Sequence, residues 1–414
     1  MSKSEQKGNK YQLKIKDQNM YPLLQMGDIA TFKKTSFTLV KPNDLVLITR
    51  KNSPIVRRII LKNDEYCITK IDGGKMSDNT VITAHSIIYA ISSVKRRSVT
   101  IDLYEGYAVQ SSVYWHQILV LMDSFKKNHI DFVFLKGLPL HLYYEKNYPK
   151  HMYTDCDILV NPFSKNKLEG AFHEMGYVKE NDSSPSFQRF AQHEEIELDF
   201  TRKVSGIIVR FDVHYSVSMS TVHFNGLRKK LGSLSKEMLM TKKYVSIDSK
   251  RFPLLKEDLL ILYLLLHQVN HSWKDLKGAV FINTIVNSIA KKRKGHIDWK
   301  VILDTAKKYS ILNFIIPGLY LQKIYFTLCE PLIVCQKVYR DNYLYTMKVF
   351  NTMYEDIYPN NLSVTKIKTP LLSNKFTIRF SLYDATFMTK CKELFNIKFF
   401  VYLFLRAFKK SELI

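Results

Sequence analysis

The stretch YTDCDILV, residues 153–160, places two aspartates one residue apart at the start of an otherwise apolar run. The apolar run predicts a buried strand, in which residues i and i+2 point to the same face of the sheet. Asp155 and Asp157 are therefore expected to project together. Two carboxylates that close repel each other, and the pKa of one rises unless a cation lies between them. Because Mg²⁺ binds such oxygen ligands together with substrate phosphates, the stretch predicts a divalent metal at the mouth of the strand.

Two further segments supply the remaining parts of such a site. A third carboxylate, Asp212, lies in VRFDVHYSV on a separate predicted strand. The predicted strand FVFLKG ends in Lys136 and Gly137, where the glycine lets the backbone approach a phosphate and the lysine offers a point charge. His214 shares the strand face of Asp212 and either orients the metal site, contacts a phosphate or makes a structural hydrogen bond. Three carboxylates, metal ions and a phosphate-contacting turn are the parts of in-line phosphoryl or nucleotidyl transfer.

The composition restricts the compartment more than the partner. Lysine and arginine number 62 against 38 aspartates and glutamates in 414 residues, a formal net charge of +24. This surplus suggests a polyanionic partner, an anionic membrane surface or a phosphorylated substrate, although compositional bias alone also produces it. The five cysteines form no CxxC pair, which fits a reducing compartment. The polar start does not resemble a signal peptide and no apolar run reaches the length of a membrane span, so we expect a cytoplasmic protein without a transmembrane segment.

The pattern along the chain predicts an α+β multidomain protein. Residues 11–98 alternate short apolar strands with turns, which predicts a small all-β domain. Residues 107–250 predict an α/β core, with a helix closed by a glycine in KNKLEGAFHEMGY and a hairpin that turns near Ser205 and Gly206. Residues 251–414 are predicted to be helical, beginning with KEDLLILYLLLHQVNHSW.

The central segment resembles a known family. FLKGLPLHLYYEKNYPKHMYTDCDILVNPFSKNKLEGAFHEMGY, FDVHYSV, LLLHQVNHSWKDL and HIDWKVILDTAKKY are similar to the uncharacterised nucleotidyltransferase family of the DNA polymerase β superfamily. The resemblance covers roughly residues 108–325. It implies a mixed sheet that carries the three aspartates as metal ligands, with Lys136 and Gly137 near the triphosphate of a nucleotide.

The chain departs from the superfamily pattern at three places. The usual Gly-Ser after the first strand appears here as Lys136-Gly137. The arginine often found ahead of the first aspartate is missing, and Lys150 and His151 are the nearest basic residues, which weakens the case for triphosphate contacts there. An acidic residue expected after the tryptophan-containing helix is replaced in GAVFINTIV.

Five other side chains are weaker candidates. His193 is a candidate for the acceptor side of the site, and Asp199 is expected at a solvated strand edge. His267 and His271 are spaced i, i+4 on a predicted helix, but no third zinc ligand is evident, so packing or nucleotide contact is favoured for both. Trp273 is expected to pack in the core rather than to stack on a base.

The N-terminal segment resembles the soluble β-domain of signal-peptidase-type serine proteases. The similar pieces are DQNMYPLLQMGDIATFKK, the strand in VKPNDLVLITR, the basic-Arg-Ile strand and an Asp-rich turn before a closing strand. The resemblance implies a Ser-Lys or Ser-His dyad, but those positions hold Asn19, which has no nucleophilic hydroxyl, and Arg57, which stays protonated. We therefore predict an inactive protease fold, kept either as a peptide-binding or scaffolding module or as a support for the transferase.

These observations favour an enzyme that moves NMP from an NTP, ATP among them, to a hydroxyl acceptor with Mg²⁺ or Mn²⁺. The protease-like segment suggests a peptide or protein acceptor, whereas the basic surplus suggests RNA, such as a tRNA end, and a small molecule also remains open. The alternative from another class is a noncatalytic protein that binds a nucleotide and a peptide. The basic, aromatic tail at residues 396–410 predicts either peripheral contact with an anionic membrane or packing on its own domain.

Overall fold

The architecture is mixed α/β, with two β-sheets and a helical region. The computed structural model describes residues 5–7, 9–17, 20, 23–50, 53–62, 64–71, 79–84, 88–101, 105–145, 153, 155–180, 197–217, 225–270, 276–326 and 328–344. The predicted tail contact at residues 396–410 therefore lies outside the described residues.

The N-terminal sheet is antiparallel throughout. Its strands are β1 (Glu5–Lys7), β2 (Lys10–Lys14), β3 (Ile29–Thr35), β4 (Leu45–Arg50), β5 (Ser53–Lys62), β6 (Tyr66–Lys70), β7 (Asn79–Thr83), β8 (Ile88–Arg96) and β9 (Val99–Ile101). The spatial order is β1-β2-β3-β8-β4-β5-β6-β7, with β9 paired to β8. Successive residues of β4 enter different cores, since Leu45 and Leu47 belong to one buried cluster and Val46 to another. The sheet forms a half-barrel, and both faces of its central strand β4 are buried.

The second sheet is mixed and holds the central segment. Its strands are β10 (Phe132–Phe134), β11 (Cys156–Val160), β12 (Val178–Lys179), β13 (Glu197–Val204), β14 (Ile207–His214), β15 (Lys243–Ile247) and β16 (Lys250–Leu254), in the order β12-β13-β14-β11-β10-β16-β15. The β11–β14 and β10–β16 pairs are parallel and the others antiparallel. All residues of β11 are buried, as expected for a central strand covered on both faces.

Helices surround the mixed sheet and continue beyond it. They are α1 (Glu105–Lys127), α2 (Leu138–Tyr144), α3 (Lys165–Glu174), α4 (Asn225–Met240), α5 (Glu257–Asn270), α6 (Leu276–Lys292), α7 (Trp299–Lys308), α8 (Leu312–Phe326) and α9 (Glu330–Val338). The largest hydrophobic core joins the mixed sheet to all of these helices. In the described ranges, no helix is long and apolar enough to cross a membrane.

One boundary and one hairpin differ from the prediction. The predicted helical region begins at residue 251, but residues 251–254 belong to β16, which pairs with β10 in the mixed sheet. The β15–β16 hairpin was not predicted because its turn uses Asp248 and Ser249 at positive φ rather than a glycine. The predicted hairpin at Ser205 and Gly206 is confirmed, and it joins β13 to β14.

Candidate metal and nucleotide site

The turn after β10 brings the backbone close to β11. Gly137 has φ 99° and ψ −164°, a conformation that is essentially restricted to glycine. A Cβ atom at this position would lie 3.2 Å from Cys156 Sγ and 3.3 Å from Cys156 Cα. The chain therefore requires glycine here both for its backbone angles and for its close approach to the strand. The preceding residue, Lys136, is placed at the mouth of that strand.

Three carboxylates converge beside this turn. Asp157 and Asp212 are directly paired in the parallel β11–β14 ladder, and Asp155 immediately precedes β11. One carboxylate oxygen from each of the three lies within 4.8 Å of the other two. Asp157 and Asp212 are buried, whereas the side chain of Asp155 is 35% exposed. The three residues predicted from the sequence as metal ligands are thus brought together at the amino-terminal end of β11.

Lys136 lies against the aspartates. Its Nζ atom is 3.1 Å from Asp157 Oδ2 and 3.8 Å from Asp155 Oδ2. Burial disfavours the charged ammonium, but the charges of Asp157 and Asp155 outweigh it and raise the pKa of Lys136. Burial likewise disfavours the Asp157 carboxylate, but Lys136 and His214 hold its pKa well below the usual range. In the metal-free protein, Lys136 therefore supplies positive charge between two carboxylates.

His214 contacts the other oxygen of Asp157. Its Nε2 atom lies 3.1 Å from Asp157 Oδ1, and both side chains are buried. His267 on α5 is close enough for its charge to lower the pKa of Asp157 further. The structure thus places His214 beside a predicted metal ligand, where it orients the carboxylate.

Arg210 is part of the site although the sequence analysis missed it. Its Nε atom donates to Asp212 Oδ1 at 2.8 Å, its Nη2 atom donates to Asp199 Oδ2, and its Nη1 atom is 3.7 Å from Glu180 Oε2. A signal was present in the alternation Arg210-Phe211-Asp212-Val213-His214, which places the three polar side chains on one strand face. Arg210 therefore orients Asp212 as His214 orients Asp157.

The expectation that Asp199 lies at a solvated strand edge is wrong. It pairs directly with Asp212 across the β13–β14 hairpin, and β13 lies between β12 and β14 rather than at the margin of the sheet. Its contact with Arg210 links it to the cluster of three carboxylates. Asp199 therefore helps to hold Arg210, which in turn contacts Asp212.

The carboxylates fit a divalent cation. Burial, followed by the charges of Asp157, Asp199 and Asp155, raises the pKa of Asp212 to about 8. The nearby guanidinium of Arg210 opposes this rise without cancelling it. Negative charge is thus in excess at Asp212, and an all-oxygen set of three carboxylates is one that Mg²⁺ or Mn²⁺ accepts.

The remaining candidates do not join this cluster in the described residues. His193, His271 and Trp273 lie outside them, as does Asn19. Arg57 is buried within the N-terminal sheet, where Nε donates to Thr69 Oγ1 at 3.1 Å and Nη2 donates to the Thr69 carbonyl at 3.2 Å. Arg57 is thus held by structural hydrogen bonds, and the degenerate dyad stays a prediction.

Comparison with known proteins agrees with the chemistry of the cluster. Searches of curated proteins and of solved structures gave no significant match. A family model described as an uncharacterised nucleotidyltransferase matches residues 102–327, which is more than half of the chain. The match spans α1 to α8 and contains all three aspartates together with Lys136, Arg210 and His214. The chain therefore belongs to the uncharacterised nucleotidyltransferase family.

Proposed function

We propose that the protein is a Mg²⁺-dependent nucleotidyltransferase, for which Mn²⁺ can substitute, and that it moves NMP from an NTP to a hydroxyl group. The observation that carries the proposal is the convergence of Asp155, Asp157 and Asp212 within 4.8 Å, in a chain that belongs to an uncharacterised nucleotidyltransferase family. Membership of the family supports the reaction class, and the carboxylate cluster supports the metal dependence.

In this reaction the acceptor oxygen bonds to the α-phosphorus while the bond from that phosphorus to the α,β-bridging oxygen breaks. Pyrophosphate leaves with the bonding electron pair, and the acceptor hydroxyl loses its proton. Asp155 and Asp157 would hold metal on the triphosphate side and Asp212 on the acceptor side. When bound, the metal neutralises phosphate charge and lowers the pKa of the acceptor hydroxyl.

The other residues of the site bind and orient. Lys136, at the opening of the site, offers an ammonium group to the triphosphate, and Gly137 lets the backbone approach a phosphate without a side chain in between. His214 holds Asp157 through Oδ1, and Arg210 holds Asp212 through Oδ1. Oδ2 of Asp212 is thus directed away from its partner, whereas Oδ2 of Asp157 lies 3.1 Å from Lys136 Nζ and would exchange that contact for the metal.

For the acceptor, we propose a hydroxyl of a peptide or protein that is bound with help from the N-terminal sheet. The support is the resemblance of that segment to proteases that bind extended peptides by strand addition. The formal charge of +24 favours a different acceptor, an RNA such as a tRNA end.

Labelling distinguishes these outcomes. We would incubate the protein with each α-³²P-labelled NTP and Mg²⁺, with and without total RNA or a peptide and protein extract. Label is expected in a polypeptide band, whereas label in RNA would reassign the acceptor. Saturable NTP binding without transfer would favour a noncatalytic nucleotide-binding protein.

A paired set of variants tests the metal assignment. Asp155→Asn combined with Asp157→Asn should abolish transfer, because two of the three proposed metal ligands lose their charge. The variant should remain folded by circular dichroism, although Lys136 loses both of its carboxylate partners. Asp131→Asn is the matched control, since Asp131 is a 57%-exposed carboxylate next to the opposite end of β10. Transfer that persists in the double variant would disprove the metal assignment.

A further inference from the structure

One face of α1 carries a row of buried side chains with polar groups. Gln110, Tyr114 and Gln117 follow the i, i+4, i+7 spacing of a single helix face, and all three are buried. Each makes a hydrogen bond to another part of the chain rather than to its own helix. Gln110 and Tyr114 bond to the backbone of the segments that carry the aspartates, whereas Gln117 bonds to a side chain elsewhere.

Gln110 grips the chain just ahead of Asp155. Its Nε2 atom donates to the Tyr153 carbonyl at 2.7 Å, and its Oε1 atom accepts from the Tyr153 amide at 3.2 Å. A residue that exchanges both backbone bonds in this way is what a neighbouring antiparallel strand would supply. The Gln110 side chain therefore takes the place of a strand at the entry to β11, two residues before Asp155.

Tyr114 does the same for the chain ahead of Asp212. The register between β11 and β14 begins at Cys156 and Phe211, and residues 207–210 of β14 precede it. Tyr114 Oη accepts from the Arg210 amide at 3.2 Å and donates to the Ile208 carbonyl at 3.4 Å. Gln110 and Tyr114, one helical turn apart, thus hydrogen-bond to the backbone just ahead of the register that β11 and β14 share.

We propose that Gln110 and Tyr114 are positioning residues that set the spacing of Asp155 and Asp212 for metal binding. The inference rests on the proposed function, because it assumes that these carboxylates hold a divalent cation. Asp155 immediately precedes the β11–β14 ladder, which begins at Cys156, and Gln110 holds the backbone two residues before it. Helix α1 holds the backbone ahead of both Asp155 and Asp212, and so sets the position of one relative to the other.

The same helix provides matched controls. Gln117 Oε1 accepts from Tyr177 Oη at 3.0 Å, and Tyr177 follows α3 rather than either metal-site strand. Gln110→Met and Gln117→Met therefore each remove one buried side-chain amide from the same helix face. Tyr114→Phe and Tyr177→Phe likewise each remove one buried hydroxyl and keep the ring.

The readout is the affinity for Mn²⁺ without nucleotide, measured from the free Mn²⁺ signal in electron paramagnetic resonance, together with the melting temperature. Gln110→Met and Tyr114→Phe should each weaken Mn²⁺ binding about tenfold, the size typical for partners that orient a metal ligand. Gln117→Met and Tyr177→Phe should lower the melting temperature comparably while leaving Mn²⁺ affinity within about twofold of the wild type. Tyr114→Phe keeps the test valid if Gln110→Met does not fold.

Three other results would overturn the inference. Unchanged Mn²⁺ affinity in the Gln110 and Tyr114 variants would reject the positioning role while leaving the proposed function intact. Equal losses in all four variants would show general loosening instead. A folded wild-type protein that binds no Mn²⁺ would reject the metal site of the proposed function and the inference with it.

Discussion

Lys136 is the residue on which the charge balance of the metal-free site depends. Its ammonium group lies 3.1 Å from the nearly fully buried carboxylate of Asp157. Replacing Lys136 by Met leaves that carboxylate without this cation, which should cost about 3 kcal/mol of unfolding free energy in the absence of metal. Urea denaturation with and without Mg²⁺ measures the effect, and Mg²⁺ should restore more stability to the variant than to the wild type.

Lys127→Met is the control for this prediction. Lys127 pairs with Glu174 at 3.6 Å, and both side chains are mostly exposed, so its loss should change the unfolding free energy by less than about 1 kcal/mol. If Lys136→Met is no more destabilising than this control, the ion pair contributes nothing to the metal-free fold.

Asp212 should make metal binding depend on pH. Its pKa in the folded protein is raised to about 8, so its contribution to stability is complete below its unfolded pKa and is lost as pH rises through 8. Mg²⁺ must displace the proton that Asp212 retains. Its affinity should therefore increase about tenfold per unit as the pH is raised toward 8, and should level off above pH 8. Calorimetric titration between pH 6 and 9 measures this slope. Asp212→Asn should bind more weakly at every pH and remove that part of the slope; a wild-type affinity independent of pH would contradict the assignment.

At the scale of elements, the turn between β10 and α2 is the most demanding local structure of the site. Gly137→Ala forces a Cβ atom toward Cys156 in a backbone region that only glycine adopts readily, which should cost about 1–3 kcal/mol and displace Lys136. Gly170→Ala is the control, because Gly170 lies within α3 with nothing within 4 Å of its added Cβ, and alanine should stabilise that helix by about 0.5–1 kcal/mol. Thermal unfolding compares the two, and equal effects would show that the turn carries no strain requirement.

The strands and hairpins of the site were predictable where the signal was local. A two-residue turn at Ser205 and Gly206 also determines the register of its hairpin, and that register places Asp199 opposite Asp212. The hairpin register therefore allows the position of Asp199 beside Asp212 and Arg210 to be predicted from the sequence, in place of the solvated strand edge. The β15–β16 hairpin gave a weaker signal because its turn contains no glycine.

Long-range pairings were not predictable from the sequence. The parallel register that sets Asp157 beside Asp212 joins residues far apart in the chain, and a parallel pair has no tight turn to set it. The grip of Gln110 on Tyr153 depends on where α1 crosses the sheet, and a buried glutamine in a helix gives no sign of its partner. The sequence thus indicates which residues have the right chemistry, and the packing decides which of them meet.

At the scale of the whole molecule, α1 joins the two sheets. Tyr107, near its start, is buried in a core cluster of the N-terminal sheet, while the next turns of the same helix contact Tyr153 ahead of β11 and Arg210 of β14. Arg58 of β5 donates from Nη2 to Tyr107 Oη and from Nη1 to the Asn43 carbonyl at 3.0 Å. A second contact buries Ile60 and Leu61 of the same strand against Ala279 of α6. These contacts favour a supporting role for the N-terminal sheet, alongside any role in acceptor binding.

The supporting role predicts that Arg58 and Arg57 differ although they are adjacent and equally buried. Arg58→Met removes the donor to Tyr107 and frees the start of α1, which should cost about 2–4 kcal/mol and weaken Mn²⁺ binding about threefold. Arg57→Met removes the hydrogen bonds to Thr69 inside the N-terminal sheet and should lower stability by a similar amount with Mn²⁺ affinity unchanged. Measuring chemical denaturation and Mn²⁺ binding on both variants separates loss of stability from loss of coupling. If both variants bind Mn²⁺ as the wild type does, the N-terminal sheet stabilises the chain without helping to set the geometry of the metal site.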